Sequence, residues 1–419
     1  MRSRSTAGRA YENGGGAMTS SKEIKERHDR VMFPNIGNFY KEPLAPREGR
    51  DCRITDHDDK TYLDFFGGIL TVSVGHANER VTQRVRAQLE RLTHVSTLYP
   101  MLPMVELAEK LVRLAPGKID RVFFTASGTE ADETAVAMAQ MATGNQELVA
   151  LRHGYSGRSL LAQALTAHSP YRQVPTQVAS IKHAAAPYCY RCPFGKKPDS
   201  CALECAKDVE ELIQTTTTGK IAGMLAEPIM GVGGFITPHP DYFKTVQKII
   251  KSYGGVFIAD EVQTGFGRTG KMWGIQQFDV EPDMMTMAKG VANGLPLGVT
   301  MATTEVAMMS RGKATISTFG GNPLSTAAGL AVLEEIEDRD LVRNSRERGA
   351  ELREGLMYLQ RQFPKVIGDV RGMGLMQALE LVIDEPAGDR TPNPEILLRL
   401  FEATKERGLL IGKGGLKGN

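Results

Sequence analysis

No apolar run in this 419-residue chain approaches the ~18 to 20 residues a membrane-crossing helix needs. The N-terminus also lacks the hydrophobic stretch of a secretory leader, so the protein is expected to stay in the cytoplasm with no membrane partner. Charge of one sign is missing too. The 51 Lys and Arg against 49 Asp and Glu leave a formal net charge of +2, which gives no electrostatic case for binding nucleic acid or a membrane surface. Internal repeats and long low-complexity segments are absent. Cysteine is scarce, five residues in all. Four of them crowd into "CYRCPFGKKPDSCALEC" as Cys189-x2-Cys192-x8-Cys201-x3-Cys205, while Cys52 stands alone. That spacing resembles a structural metal site, with zinc the metal suited to four thiolates. Disulfides, or free thiols in a surface insertion over 187–205, are the other readings.

What is present suits a scaffold for small-molecule chemistry: 41% hydrophobic and 24% charged residues describe an ordinary soluble globular protein. The length fits two domains. Residues 1–30, opening "MRSRSTAGRAYENGGGAMTS", read as a disordered tail ahead of a second possible start at Met18; a transit peptide is the alternative, and Glu12 with Gly14-Gly15-Gly16 weighs against it. Residues 31–60 and 326–419 are expected to form one small α+β domain from both chain ends, around a large domain over 61–325.

The stretch "RITDHDDKTYLDFFGGILTVSVGHANERV" alternates apolar and polar residues and suggests a small antiparallel sheet. Beyond it, strand-like runs recur in "RVFFTA", "LVAL", "QVASI", "AGMLAE", "GVFIAD", "DMMTMA" and "LGVTMA". Helix-like segments over 128–142, 206–216 and 240–252 separate several of them. This alternation predicts an α/β fold with a mainly parallel sheet covered on both faces. The methionine-rich "MMTMA" and "EVAMM" read as core filler, His153 as a core or supporting residue, and His76 as non-catalytic.

Ligands of open α/β sheets collect at the carboxyl ends of the parallel strands. "RVFFTASGTEADETAV" places Ser127-Gly128-Thr129 between a strand and a helix, where backbone N–H groups and two hydroxyls suit a phosphate; with Glu130, the same residues also fit an ordinary helix cap. "GVFIADEVQTG" ends its strand in Asp260-Glu261, at a depth where an ionised carboxylate needs a cationic partner. "DMMTMAKGVANG" ends in Lys289, where apolar neighbours favour an amine nucleophile. The Gly265-x-Gly267-x-x-Gly270 run imitates a dinucleotide loop. Five residues separate it from the strand and no helical pattern follows, so a nicotinamide dehydrogenase is disfavoured. A phosphate cradle, a strand-end carboxylate and a strand-end lysine together are the three fixings of pyridoxal 5′-phosphate.

At this point the sequence resembles the class III pyridoxal-phosphate aminotransferases of fold type I. The resemblance runs from about Phe33 to the chain end, through "FFTASGTEADETAVAMA", "RHGYSGRS", "LAEPIMGVGG", "GVFIADEVQTGFGRTGKMWG", "PDMMTMAKGVANGLPLG" and "STFGGNPLSTAAGLAVL". It implies a seven-stranded, mainly parallel sheet. By resemblance, Ser127, Gly128 and Thr129 hold the cofactor phosphate and Tyr155 stacks on the ring. Glu227 matches an active-site glutamate. Asp260 pairs with the ring nitrogen, Val262 packs the other ring face, Gln263 approaches the ring hydroxyl, and Lys289 binds the cofactor as a Schiff base. Thr318 matches a threonine that completes the phosphate site of the neighbouring subunit, which implies a homodimer.

Chains of the family continue into a segment holding an arginine before a proline pair, which commonly binds the substrate carboxylate; the resemblance places Asn419 just short of it, as though the C-terminus were truncated. The "PYCYRCPFG" segment looks most like alanine–glyoxylate or ω-amino acid:pyruvate aminotransferases. The expected reaction moves an amino group from alanine or a β- or ω-amino acid to a small 2-oxo acid (pyruvate, glyoxylate or 2-oxoglutarate), by a ping-pong scheme. A lyase, decarboxylase or aminomutase on the same fold is the alternative, and a non-catalytic metal-binding module a more distant one.

Overall fold

The computed structural model describes residues 19–175 and 178–419. Fourteen strands are present among these residues. Near the N-terminus, β1 (Pro46–Arg50), β2 (Arg53–Asp56) and β3 (Thr61–Asp64) pair antiparallel in sequence order. The central strands are β4 (Ile119–Thr125), β5 (Leu148–Leu151), β6 (Ile181–Ala184), β7 (Gly223–Ala226), β8 (Val256–Asp260), β9 (Met284–Met287) and β10 (Gly298–Thr303). Towards the C-terminus come β11 (Ile367–Met373), β12 (Met376–Asp384), β13 (Asp389–Pro392) and β14 (Leu409–Leu410).

The central strands form one seven-stranded sheet in the order β4-β10-β9-β8-β7-β5-β6. Only β10 runs against the rest, since it is antiparallel to both β9 and β4 while the other pairs are parallel. Their apolar runs are near continuous because both faces are covered. Alternate residues feed two layers: Phe257, Ala259, Met285 and Met287 point to one, and Val256, Ile258 and Met284 to the other, where Ala135, Val136 and Ala139 of the helix Gly128–Thr143 cover them. The parity of β8 therefore aims Asp260 at the face beneath that helix.

The smaller sheets draw on both ends of the chain. Leu409 and Leu410 of β14 pair in parallel with Leu63 and Asp64 of β3, and β11, β12 and β13 form a separate antiparallel sheet.

Three expectations are corrected. The tail reading extended to residue 30, yet Ser21–Val31 is a helix; residues 1–18 lie outside those described. Ser20 caps the helix by accepting from Glu23 N, and buried Ser21 bonds Asp58 and the backbone at Ala45. These ties are polar, so no apolar periodicity advertised them. The antiparallel reading of "FFGGILTVSVGH" gives way after Asp64 to a turn of left-handed helix, with φ of 56° and 59° at Gly67 and Gly68 and 65° and 58° at Ile69 and Leu70. Asp64 Oδ1 accepts from Phe66 N and Gly67 N at 2.9 Å, and Arg268 Nη2 donates to the Leu70 carbonyl at 3.2 Å. Left-handed backbone costs about 1–2 kcal/mol at each non-glycine residue, and these bonds hold it. Finally, Met284, Met285 and Met287 are core, but Met308 and Met309 of "EVAMM" are exposed, on a short helix beyond β10.

Candidate active site

The strand ends of β4, β8 and β9 bring three loops together. Ser127 Oγ accepts from Glu130 N at 3.3 Å and starts the helix Gly128–Thr143, so the capping role is real. That leaves the first-turn N–H groups facing the strand ends beside the positive end of the helix dipole. A methyl group added to Gly128 would lie 3.3 Å from Val262 and 3.4 Å from Ala288, the neighbour of Lys289. The cradle, the strand-end carboxylate and the lysine are thus adjacent. The Thr129 hydroxyl closes the cradle against Gly157 and accepts from Arg158 N at 3.4 Å.

Asp260, Glu227 and Asp132 are buried, and half-buried Lys289 lies within electrostatic reach of all three. Asp260 is 3% exposed and accepts from Val262 N at 2.9 Å. Glu227 accepts from Tyr155 N at 3.0 Å and Gly231 N at 2.7 Å, which places it under the Tyr155 loop. Burial raises both carboxyls above the usual carboxylate range; Asp260 raises Glu227 further, and Lys289 opposes the shift at each. Burial also lowers the Lys289 ammonium, against the pull of Asp260, Glu227 and Asp132. Lys289 has a left-handed backbone, φ 46°, at the start of a short 3-10 turn. A lysine held in that conformation is a strained residue of the kind that collects at functional sites.

Tyr155 stands at the rim with its ring edge-on to Tyr171 at 5.3 Å, and burial raises its hydroxyl. Gln263 is buried against Gly231, where an added methyl would lie 2.1 Å from its side-chain oxygen. Thr318 is different: it is exposed, on the loop that Thr97 Oγ1 ties down through the Ser317 backbone. His153 is half-buried edge-on to Tyr188, and His76 Nε2 bonds Asp64 at 2.8 Å near the small sheet. The cysteine segment lies elsewhere. Cys189, Cys192, Cys201 and Cys205 line one cavity of about 20 Å³, and all five cysteines are free thiols. The zinc reading is not supported: among the described residues no group of three or more His, Cys, Asp or Glu is arranged to hold a metal ion.

Glu261, read from the sequence only as a strand-end acid, has a different task, and Asp132 escaped the sequence reading. Glu261, fully buried, accepts from Gly274 N at 2.8 Å, Ile275 N at 2.7 Å and Thr264 Oγ1 at 2.5 Å. It clamps the whole glycine loop. Asp132 is 1% exposed on the second turn of the Gly128 helix. Its signal was available: Asp132 lies three and four residues before Ala135 and Val136, on the helix's buried stripe.

The family described as Aminotransferase class-III matches residues 38–417. The chain belongs to the class III aminotransferases. It is 41% identical over 400 residues to alanine–glyoxylate aminotransferase 2 homolog 2, mitochondrial, of Arabidopsis thaliana, covering 96% of this chain and 82% of that one. Among solved structures it is similar to an (S)-enantioselective ω-transaminase from Thermomicrobium roseum, with a TM-score of 0.88, 31% identity and coverage of 95% and 93%. It is also similar to a phospholyase from Arthrobacter in complex with phosphoethanolamine, with a TM-score of 0.85, 32% identity and coverage of 94% and 93%. Membership of this class III aminotransferase family implies pyridoxal 5′-phosphate and amino-acid and oxo-acid substrates. The residues present fit that cofactor: a helix-end cradle for the phosphate, a buried carboxylate for the ring nitrogen and a lysine amine beside it for the carbonyl.

Proposed function

We propose that this aminotransferase transfers the amino group of alanine or of a β- or ω-amino acid to a small 2-oxo acid such as pyruvate, glyoxylate or 2-oxoglutarate. The observation that carries the chemistry is the meeting of half-buried Lys289 with the buried carboxyls of Asp260, Glu227 and Asp132. The substrate class is supported by likeness to alanine–glyoxylate and ω-transaminase relatives. When bound, pyridoxal phosphate supplies the electron sink that makes a substrate α-proton acidic. Asp260 holds the proton on the ring nitrogen. Lys289 Nζ would hold the cofactor carbonyl and is the amine placed to move a substrate proton; desolvation favours the neutral form that this needs. Ser127, Gly128 and Thr129 hold the phosphate. Val262 and Tyr155 would pack against the ring and Gln263 would approach its hydroxyl, while Glu227 orients the Tyr155 loop.

A homodimer belongs to the same proposal. Leu98, Tyr99, Leu102, Ile316 and Phe319 are exposed by 60–70% on segments joined through Thr97 and Ser317, beside Thr318. Large exposed apolar side chains on two linked segments suit a second copy, with Thr318 reaching the neighbouring phosphate site.

The experiment is a half-reaction screen of amino donors on the pyridoxal-phosphate-loaded protein, with borohydride labelling. Label fixed on Lys289, and amino transfer from alanine or a β- or ω-amino acid that Lys289→Ala abolishes, are expected. Labelling elsewhere, or full half-reaction rates in Lys289→Ala, overturns the assignment. Likeness to the phospholyase favours one second reading: release of ammonia with no oxo-acid acceptor would establish lyase chemistry instead.

A further inference from the structure

The buried space behind the site holds more carboxyl groups than its one lysine can balance. Strand register shows how they are arrayed. Asp260 of β8 pairs with Thr286 of β9, and Thr286 with Thr300 of β10, so the three side chains form a row on one face of the sheet. Thr300 Oγ1 donates to the Ala131 carbonyl at 2.8 Å, which puts that face against the Gly128 helix one residue before Asp132. Asp132 lies beside Thr286 and Ser156, within electrostatic reach of Asp260 and Glu227. Yet neither Asp132 Oδ1 nor Thr286 Oγ1, both buried, has a hydrogen-bond partner.

The three carboxyls are not equivalent. Glu227 accepts two backbone N–H groups and Asp260 accepts one. Asp132 faces hydroxyls, two carboxyls and, further off, Lys289. Where like charges crowd in a dry interior, the group with hydroxyls but no backbone N–H to hold its charge keeps its proton. Burial, then the charge of Asp260, raises the Asp132 carboxyl well above its usual range.

We propose that Asp132 is a positioning residue for Asp260: an uncharged carboxyl group, set behind the first with Thr286, that offers a proton to the buried row and so keeps Asp260 ionised for the cofactor's ring nitrogen. The inference rests on pyridoxal phosphate binding at this site. Asp132 touches neither substrate nor cofactor; it acts through Asp260. An asparagine supplies a neutral donor of the same shape and satisfies the role, whereas a leucine removes the donor and leaves Asp260 harder to ionise.

The test compares wild type, Asp132→Asn and Asp132→Leu, each purified with pyridoxal phosphate, by cofactor retention on dialysis and by pH titration of the bound cofactor's visible absorbance. Asp132→Asn is expected to match wild type. Asp132→Leu is expected to lose cofactor about tenfold more readily and to move the acid limb of the titration up by about one pH unit. Should Asp132→Leu not fold, Asp132→Ala carries the same comparison. A folded Leu or Ala variant that retains and titrates cofactor like wild type overturns the inference, as does an Asn variant that fails in step with Leu. Wild type showing no visible absorbance overturns the cofactor assignment itself, a result distinct from either.

Discussion

Asp260 and Glu261 are consecutive buried acids with opposite tasks. The first faces the site; the second turns away to hold three donors of its own loop. Asp260→Asn leaves a neutral partner for the ring nitrogen, and the half-reaction with alanine should slow by about 100-fold or more while borohydride still labels Lys289. Glu261 is pushed from 4.5 up to about 7, with burial the largest cause, outweighing its bonds to Thr264, Ile275 and Gly274. The folded state therefore binds this proton more tightly than the unfolded chain does. Its contribution to stability is complete below about 4.5 and is lost as pH rises through about 7. Glu261→Gln turns an amide N–H towards donors and should cost about 1–3 kcal/mol. Calorimetry should show its deficit against wild type narrowing as pH rises across that window. Wild type and variant running parallel across it would rule the titration out.

At the scale of elements, the phosphate cradle depends on what β10 leaves out. A methyl group on Gly298 would lie 2.2 Å from the Ser127 carbonyl oxygen and 2.3 Å from Thr125 Oγ1. Gly298→Ala should therefore displace the 125–128 turn and weaken cofactor retention about tenfold or more, measured by dialysis, with less effect on secondary structure by circular dichroism. Most central strands were legible: "LVAL" is β5 residue for residue, and β7, β8 and β9 each lie within one residue of their apolar runs, whereas the run "QVASI" meets β6 only at Ile181. Buried parallel strands advertise themselves because both faces select the same residue types. The Gly265, Gly267 and Gly270 run was harder. Gly267 and Gly270 have φ of 86° and 87° and pass close to Val342 and Arg346 of the helix Leu341–Gln362. Those are turning and packing roles, as the failed flanks suggested, but Phe266 at 61° also takes the left-handed conformation, which no residue preference announces. Ile69 and Leu70 were hidden for the same reason. Asp132 was hidden differently, as one polar residue on a buried stripe whose meaning depends on a strand over a hundred residues away.

Across the whole molecule, the cysteine segment is fastened to the C-terminal sheet through Glu380, which is 1% exposed and bonds Tyr188, Arg191 and Arg371. Arg371 also reaches the Gly234 carbonyl at 2.8 Å and lies over the Tyr188 ring. Burial alone would raise the Glu380 carboxyl; Arg371, Tyr188 and Arg191 together hold it below its usual value. Glu380→Gln leaves two arginines without their shared charge and should cost about 3 kcal/mol, read as a lower unfolding midpoint near neutral pH. The loss should shrink as pH falls below 4.5, where wild type forfeits the same interaction by protonation. Lys289 sets strain against charge. Its backbone at φ 46° is a conformation glycine adopts freely and lysine does not. Glycine there would relieve about 1–2 kcal/mol of strain but strip Asp260, Glu227 and Asp132 of their nearby cation, so a Lys289→Gly chain is expected to melt at a lower temperature than the working enzyme near neutral pH, both freed of cofactor. Chemistry and durability are thus tied to the same amine, and a copy of the gene that drifts at this codon forfeits both together.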